Sequence, residues 1–381
     1  MKLAIVRQKY TPFGGAERFV ERALSGLASH PLDVTIIARE WTDTQAVHAY
    51  RFLKVDPFYL GRTWRDVGFS HHIQRILAEN RFDLVQSHER IPGCHLYRAG
   101  DGVHATWLEL RNQARGGIFT HLARAATALS PWHSYMLETE SALFRDPALR
   151  AVICNSHMVK ADIIRRFGLT DEQLPVIYNG VDLDHFHTGL RAEHRRRMRA
   201  EWGIAETAPV ILFVGSGFER KGVFTLLHTL SAVPTAHLVV VGRDKNERKA
   251  VALAQKLGLE NRVRFLGGQK DVRPYYGMAD VFALPAIYEP FPNAVIEAMA
   301  CGLPVITSTH CGAAEVIESG KNGFVCDALD REALRRHLLT LSDIRLAAEM
   351  GETARRAVEP LSIAAMTQKL IELYRQLTTP C

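Results

Sequence analysis

The sequence predicts an α/β protein of two domains, each a parallel sheet flanked by helices. Three observations carry this. The chain has 381 residues, 47% of them hydrophobic and 23% charged, which is more than one core holds comfortably and suits two globular domains of roughly 150 to 200 residues. Short apolar runs alternate with stretches of helical periodicity, the pattern of successive βα units. Several of those runs end at glycine-rich or polar residues, where open α/β sheets hold their ligands. No apolar run reaches 18 residues and the first residues enter a strand at once, so the expectation is a cytosolic protein without a leader or a spanning helix.

The 47 Lys and Arg against 41 Asp and Glu give a net charge of +6. Such a balance favours an anionic partner: a phospholipid surface, a phosphorylated glycan or nucleic acid. No RNA- or DNA-binding motif accompanies the basic runs, which disfavours nucleic acid. The 6 cysteines show no zinc-ligand spacing and read as reduced thiols.

Leu3 to Val6 is the first strand, and residues 7–13 lead to Gly14-Gly15 and an amphipathic helix to about Ala28. A glycine pair there lets a ligand approach the helix start, although it also serves as a plain turn. Val34 to Arg39 and Arg51 to Val55 read as strands, Val67 to Asn80 as a helix, and Asp83 to His88 as a strand with His88 and Glu89 at its ligand-facing end. The next strand ends in Gly100-Asp101-Gly102; Asp101 is either a turn residue or a carboxylate that orients or deprotonates a hydroxyl. Between Trp107 and about Ala126, Arg111, Arg115, His121 and Arg124 interleave with apolar residues, and no acid follows Glu109. This suits a segment on an anionic bilayer, or a solvated helix packed on its own domain. Ala151 to Ser156, a helix from His157 to Phe167 and a strand ending Tyr178-Asn179-Gly180-Val181-Asp182 close the first domain.

The expected boundaries are 1–182, joined by a C-terminal helix at 360–381 that crosses back, and 183–359. The basic run Leu190 to Arg199 reads as a linker helix or a phosphate contact. Val210 to Val214 is a continuous buried strand followed by Gly215-Ser216-Gly217-Phe218-Glu219-Arg220-Lys221-Gly222. The dinucleotide fingerprint fails because Arg220 stands where the third glycine belongs, and the P-loop fails because Val223-Phe224 follows Gly222. Leu238 to Gly242 and Val263 to Gly267 give two more strand ends. Val281 to Ala286 is then a buried strand, and Asn293 to Cys301 a helix with a glycine stop. Glu289 and Glu297 bracket that helix start. Its first-turn N–H groups suit a phosphate, and two carboxylates beside it suit the hydroxyls flanking one, although acids at helix starts are common.

Glu289-x7-Glu297 within EPFPNAVIEAMACGLPV resembles the signature of the retaining family 4 glycosyltransferases, and PFGGAERF resembles the bacterial lipopolysaccharide-core glucosyltransferases among them. The resemblance implies a GT-B fold: two Rossmann-like domains whose parallel sheets face each other across a cleft, the first holding the acceptor and the second the donor. It assigns Glu289 to the transferred sugar, Glu297 to the ribose, and the backbone at Asn293 and Ala294, beside Phe291, to the phosphates. Lys221 matches the lysine that reaches the distal phosphates. Ser216 stands where many relatives have an Arg, so Arg220 is expected to supply the second charge. Gly14 and Gly15 are placed near the phosphates and the acceptor, and Asp101 where many members carry a histidine. The implied catalytic set is Asp101, Lys221 and Glu289.

No Asp-x-Asp motif is present, so neither a metal nor a cofactor beyond the donor is expected. The implied reaction moves a hexose, glucose from UDP-glucose, to a lipopolysaccharide-core or similar glycan or glycolipid acceptor at the inner membrane face, with 107–126 on the anionic surface. UDP-GlcNAc, UDP-galactose or GDP-mannose are alternative donors. A sugar-nucleotide-binding protein without turnover is the alternative in kind.

Overall fold

A computed structural model describes residues 1–10, 23–24, 27, 32–41, 50–115, 127 and 129–378. The chain divides into two compact units, Met1–Gly180 with Ile363–Cys381, and Val181–Ser362.

Beside a short parallel pair of Lys9–Tyr10 with Glu40–Trp41, the first unit has the strands β1 (Lys2–Val6), β2 (Asp33–Ala38), β3 (Arg51–Lys54), β4 (Leu84–Ser87), β5 (Leu96–Arg98) and β6 (Ala151–Ile153). They form one sheet in the order β3-β2-β1-β4-β5-β6, and every pair is parallel. The helices are α1 (Gly61–Glu79), α2 (His104–Arg115), α3 (Pro131–Phe144) and α4 (His157–Phe167). Helix α1 begins six residues before the expected Val67, because Arg62, Trp64 and Arg65 interrupt its apolar periodicity without interrupting its backbone. Residues 176–182 make two isolated bridges, Cys154 to Val176 and Val181 to Ser362, in place of the expected strand.

The second unit contains α5 (Leu190–Trp202), β7 (Val210–Val214), α6 (Phe218–Lys221), α7 (Val223–Leu230), β8 (His237–Val241), α8 (Glu247–Lys256), β9 (Val263–Phe265), α9 (Arg273–Met278), β10 (Val281–Leu284), α10 (Asn293–Ala300), β11 (Val305–Ser308), β12 (Gly323–Cys326), α11 (Arg331–Thr340) and α12 (Ile344–Val358). Its sheet runs β9-β8-β7-β10-β11-β12, again wholly parallel. A strand covered on both faces reads as a continuous apolar run, and β7, VILFV, is buried along its whole length. Finally α13 (Ile363–Thr378) returns to the first unit, where Met366, Leu370 and Tyr374 share a core with Leu3, Ile5 and Leu84. Tyr374 also donates to Gln86 Oε1 at 2.7 Å.

Both sheets therefore repeat one order, in which the chain builds outward from a central strand and then jumps back beside it. The crevice between those two strands' carboxyl ends is where such sheets hold ligands. In the first unit it opens between β1 and β4; in the second, between β7 and β10.

The basic run of α5 has a structural account. Arg191 and Arg195 reach Asp280 Oδ1 at 3.2 and 2.6 Å, while Arg199, fully buried, pairs with Asp280 Oδ2. These arginines recur every four residues, so one helix face is pinned to the start of β10.

Candidate active site

At the switch point of the second sheet, two loops meet. After β7 the chain passes Gly215 and Gly217 into the single turn of α6, and Gly222 takes the left-handed conformation at its end, φ 85°. A Cβ on Gly222 would collide with the Pro285 carbonyl, so glycine lets this turn lie directly against the loop after β10. The Ile287 N–H donates to the Arg220 carbonyl at 2.8 Å and Arg220 Nη1 donates to the Tyr288 carbonyl at 2.9 Å.

This clamp brings Arg220, Lys221 and Glu289 together. Arg220 Nη1 and Lys221 Nζ both meet Glu289 Oε2, the lysine at 3.4 Å. Burial pushes the Glu289 carboxyl up, but Arg220 and Lys221 outweigh it and hold the group below its ordinary value. Lys221 is lowered by burial, against the pull of Glu289. A Cβ on Gly215 would lie 3.1 Å from Lys221 Nζ, so the bare glycine leaves the ammonium its space. The Glu289 backbone is tied to the turn after β11: its N–H donates to the His310 carbonyl at 3.0 Å, and Gly312 N–H donates to its carbonyl at 2.9 Å. The Gly312–Val316 turn thus abuts the same crevice.

Two helix starts border this crevice, and they differ. At α6 the Asp244 carboxylate accepts from the Gly217 and Phe218 N–H groups at 2.7 and 3.1 Å. The loop that nearly spells a P-loop therefore carries its own anion. At α10 the N-cap is Pro292, which offers no side-chain acceptor of its own. Asn293 and Ala294 are the first amides of that helix, and the next N–H, of Val295, donates to the Pro292 carbonyl at 3.1 Å. The positive end of such a helix suits an external anion. Phe291 and Asn293 are buried, and Glu297 is 1% exposed.

Glu297 is oriented by a residue that the sequence did not single out. Tyr276 Oη donates to Glu297 Oε2 at 3.2 Å and lies 3.3 Å from the Ala294 carbonyl. Its ring packs edge-on to Phe186 and tilted against Phe282.

The chain matches the family described as "Glycosyl transferases group 1" over residues 194–357 and that described as "Glycosyltransferase Family 4" over residues 13–185. The chain is a family 4 glycosyltransferase. It is 28% identical over 382 residues to the lipopolysaccharide glucosyltransferase WaaG of Escherichia coli strain K12, covering 98% of each chain. It is 31% identical over 177 residues to the lipopolysaccharide core biosynthesis glycosyltransferase LpsE of Rhizobium meliloti, covering 46% of this chain and 52% of that one. The crystal structure of WaaG superposes with a TM-score of 0.84 at 26% identity, covering 98% of this chain and 99% of that one. The transferase has the GT-B fold, with its two parallel six-stranded sheets.

Among the enzyme's other sequence-derived site residues, Gly14 and Gly15 lie outside the described residues. Asp101 belongs to the first unit, exposed on the turn that follows β5. Beneath it Arg98 is buried and bonded to Asn179 Oδ1; burial pulls that guanidinium down to about 9, against the pull of Asp101. His88 and Glu89 sit at the first sheet's own switch point. Glu89 Oε1 accepts from the Gln8 N–H at 2.9 Å and faces Arg7 at 3.5 Å, while His88 Nε2 bonds Gln86 Nε2 at 2.9 Å. Burial and the nearby Arg98 and Arg7 hold His88 well below its ordinary range.

Of 107–126, only residues 107–115 are described, and they form α2. That helix is held to its own unit: the buried Glu140 accepts from the His104 N–H at 2.8 Å and from Arg90 Nε at 2.9 Å, Arg111 donates to Thr127, and Glu109 pairs with Arg166. No group of three or more His, Cys, Asp or Glu among the described residues is arranged to hold a metal ion.

Proposed function

We propose that the enzyme transfers a hexose, glucose from UDP-glucose, with retention of configuration to a lipopolysaccharide-core or similar glycan acceptor, working in the cytoplasm at the inner membrane face. The observation that carries this is the cation pair Arg220 and Lys221 converging on Glu289 beside the start of α10. Likeness to the Escherichia coli lipopolysaccharide glucosyltransferase over 98% of the chain supports glucose and the acceptor class.

In this reading the diphosphate lies at the α10 start, with the Asn293 and Ala294 backbone and the two cations around it. Fixed positive charge where negative charge develops lowers the barrier to its departure. The bond from the anomeric carbon to the phosphate oxygen breaks, and a bond to the acceptor oxygen forms on the same face. The acceptor proton passes to the departing phosphate oxygen. Glu289 accepts from the sugar hydroxyls rather than attacking the sugar, Glu297 accepts from the ribose, and Asp101 orients the acceptor hydroxyl. The charge roles are filled by side chains, so the reaction is assigned no metal.

Thermal shift with UDP, UDP-glucose, UDP-galactose, UDP-GlcNAc and GDP-mannose tests the donor. A ligand that binds only the folded state raises Tm, and UDP-glucose is expected to raise it most. If neither UDP nor any of the sugar nucleotides moves it, the donor assignment falls. Hydrolysis of UDP-glucose by the purified enzyme separates a transferase from a binding protein without turnover.

A further inference from the structure

Seven of the twelve exposed large apolar side chains among the described residues fall between Phe52 and Val67, so the exposed apolar surface of the first unit is concentrated at one corner. That corner is β3, the outer strand of its sheet, with the turn after it and the first turns of α1. All four residues of β3 are exposed. On the turn, Phe58 is 76% and Leu60 69% exposed, which makes them projecting knobs rather than parts of a flat face. Trp64 is half exposed and meets Phe58 edge-on, 5.8 Å between ring centroids.

The charges around these knobs are of one sign once internal pairs are removed. Residues 51–67 hold Arg51, Lys54, Arg62 and Arg65 against Asp56 and Asp66. Asp56 is bound by Arg39 at 2.6 Å and Asp66 by Arg65 at 2.8 Å. Arg51 and Lys54 have no ion-pair partner among the described residues.

We propose that this corner is a seat for an anionic bilayer, with Phe58 and Leu60 entering the headgroup–acyl boundary and Arg51 and Lys54 facing anionic lipid headgroups. Projecting apolar side chains that lie among unpaired cations give the two signals, insertion and charge, that stable peripheral binding needs. Tyr59 and Trp64 are the residue types that settle at such interfaces. No helix among the described residues is long and apolar enough to span a membrane, so the seat is peripheral. It is made of other residues than 107–126, of which the described part, 107–115, is engaged with its own unit. The membrane face of the proposed function is all that it shares with that reading, and vesicle binding is measured without donor or acceptor, so either can fail alone.

The test is co-sedimentation of the full chain with phosphatidylglycerol-containing vesicles and with pure phosphatidylcholine vesicles. The wild-type chain is expected to bind the anionic vesicles, and salt to weaken that binding. Phe58→Ser with Leu60→Ser should reduce the partition by on the order of tenfold or more, and Arg51→Glu with Lys54→Glu should do so on anionic vesicles only. All four side chains are exposed, so unchanged circular dichroism and Tm show that folding is intact. Wild-type binding by both double variants would overturn the proposal, as would loss of binding in Phe119→Ser with Leu122→Ser alone. Equal binding to neutral vesicles would overturn its electrostatic half. A dimer in sedimentation velocity that Phe58→Ser with Leu60→Ser dissolves, without vesicle binding by the wild type, would replace the bilayer by a second copy of the chain.

Discussion

Lys221 Nζ lies 3.4 Å from Glu289 Oε2, an oxygen that also pairs with Arg220. One carboxylate is thus shared by two cations, which leaves a net positive charge at the place where the donor diphosphate is proposed to bind. In the proposed reaction an entering diphosphate takes over the cations, and Glu289 turns to the sugar. The shared carboxylate explains how two cations stand side by side in a largely buried place.

Glu289→Ala is therefore expected to abolish sugar transfer while leaving UDP binding at least as strong as in the wild type, because it removes an internal competitor for Arg220 and Lys221. Isothermal titration with UDP and a transfer assay give the two readouts. Parallel loss of both would remove Glu289 from its assigned place at the sugar.

Lys221→Ala removes charge from the leaving group instead. The expected loss is about 10²–10³-fold in kcat, the size found when one stabilising donor is removed from a developing anion. Lys221→Arg is not expected to restore the rate, because the ammonium fits closely over Gly215, 3.1 Å from where a Cβ would stand, and a planar guanidinium does not. Single-turnover kinetics separates this from a change in donor affinity.

Tyr276→Phe deletes the hydroxyl that holds Glu297 Oε2 at 3.2 Å. The ring and its contacts with Phe186 and Phe282 remain, so stability should change by about 1 kcal/mol. The KM for the donor is expected to rise about five- to tenfold with kcat little changed. A donor lacking a ribose hydroxyl should be affected less than the natural one if Glu297 holds that hydroxyl. Equal effects on both would make Tyr276 a packing residue.

These relationships show how much the sequence discloses. The parallel sheets were legible because a strand buried on both faces, such as Val210 to Val214, leaves a continuous apolar run. Arg220, Lys221, Glu289 and Glu297 were legible as residues because they fall in two short segments, each just beyond a strand. Their mutual geometry was not. Tyr276 meets Glu297 across 21 residues of sequence and Asp244 meets Gly217 across 27, and neither pair has a local spacing that marks it. The arginines of Leu190 to Arg199 left both a linker and a phosphate contact open, because their shared partner Asp280 lies more than 80 residues away. The corner at 52–67 went unmarked for the opposite reason: its apolar residues look like core until exposure separates them.

That convergence on Asp280 carries a stability prediction. Arg199 is buried and also donates to the carbonyls of Met278, Ala205, Glu206 and Ala208. Asp280→Ala leaves three cations without their shared acceptor, one of them fully buried. Removing one partner of a buried ion pair costs about 3–5 kcal/mol. Urea unfolding followed by tryptophan fluorescence and circular dichroism should show this loss. A cost below about 1 kcal/mol would mean that the carbonyls alone satisfy Arg199.

The first unit should lose stability on mild acidification, and His104 is a named source. The imidazole is buried, bonds His133 at 3.0 Å and lies near Arg90, Arg111 and Arg62. Burial first, then these positive neighbours, push it down to about 3 from an ordinary 6.5. Between those values the unfolded chain binds a proton that the folded chain refuses, so stability falls as pH drops through that window. The slope is at most about 1.4 kcal/mol per pH unit for one group, or about 2 kcal/mol between pH 6.5 and 5. His104→Gln keeps a polar side chain of similar reach without a titrating ring. Its urea midpoint should depend less on pH between 7 and 5 than that of the wild type. Identical slopes would mean that His104 takes up a proton in the folded chain, and that the ring pair with His133 opens to admit it.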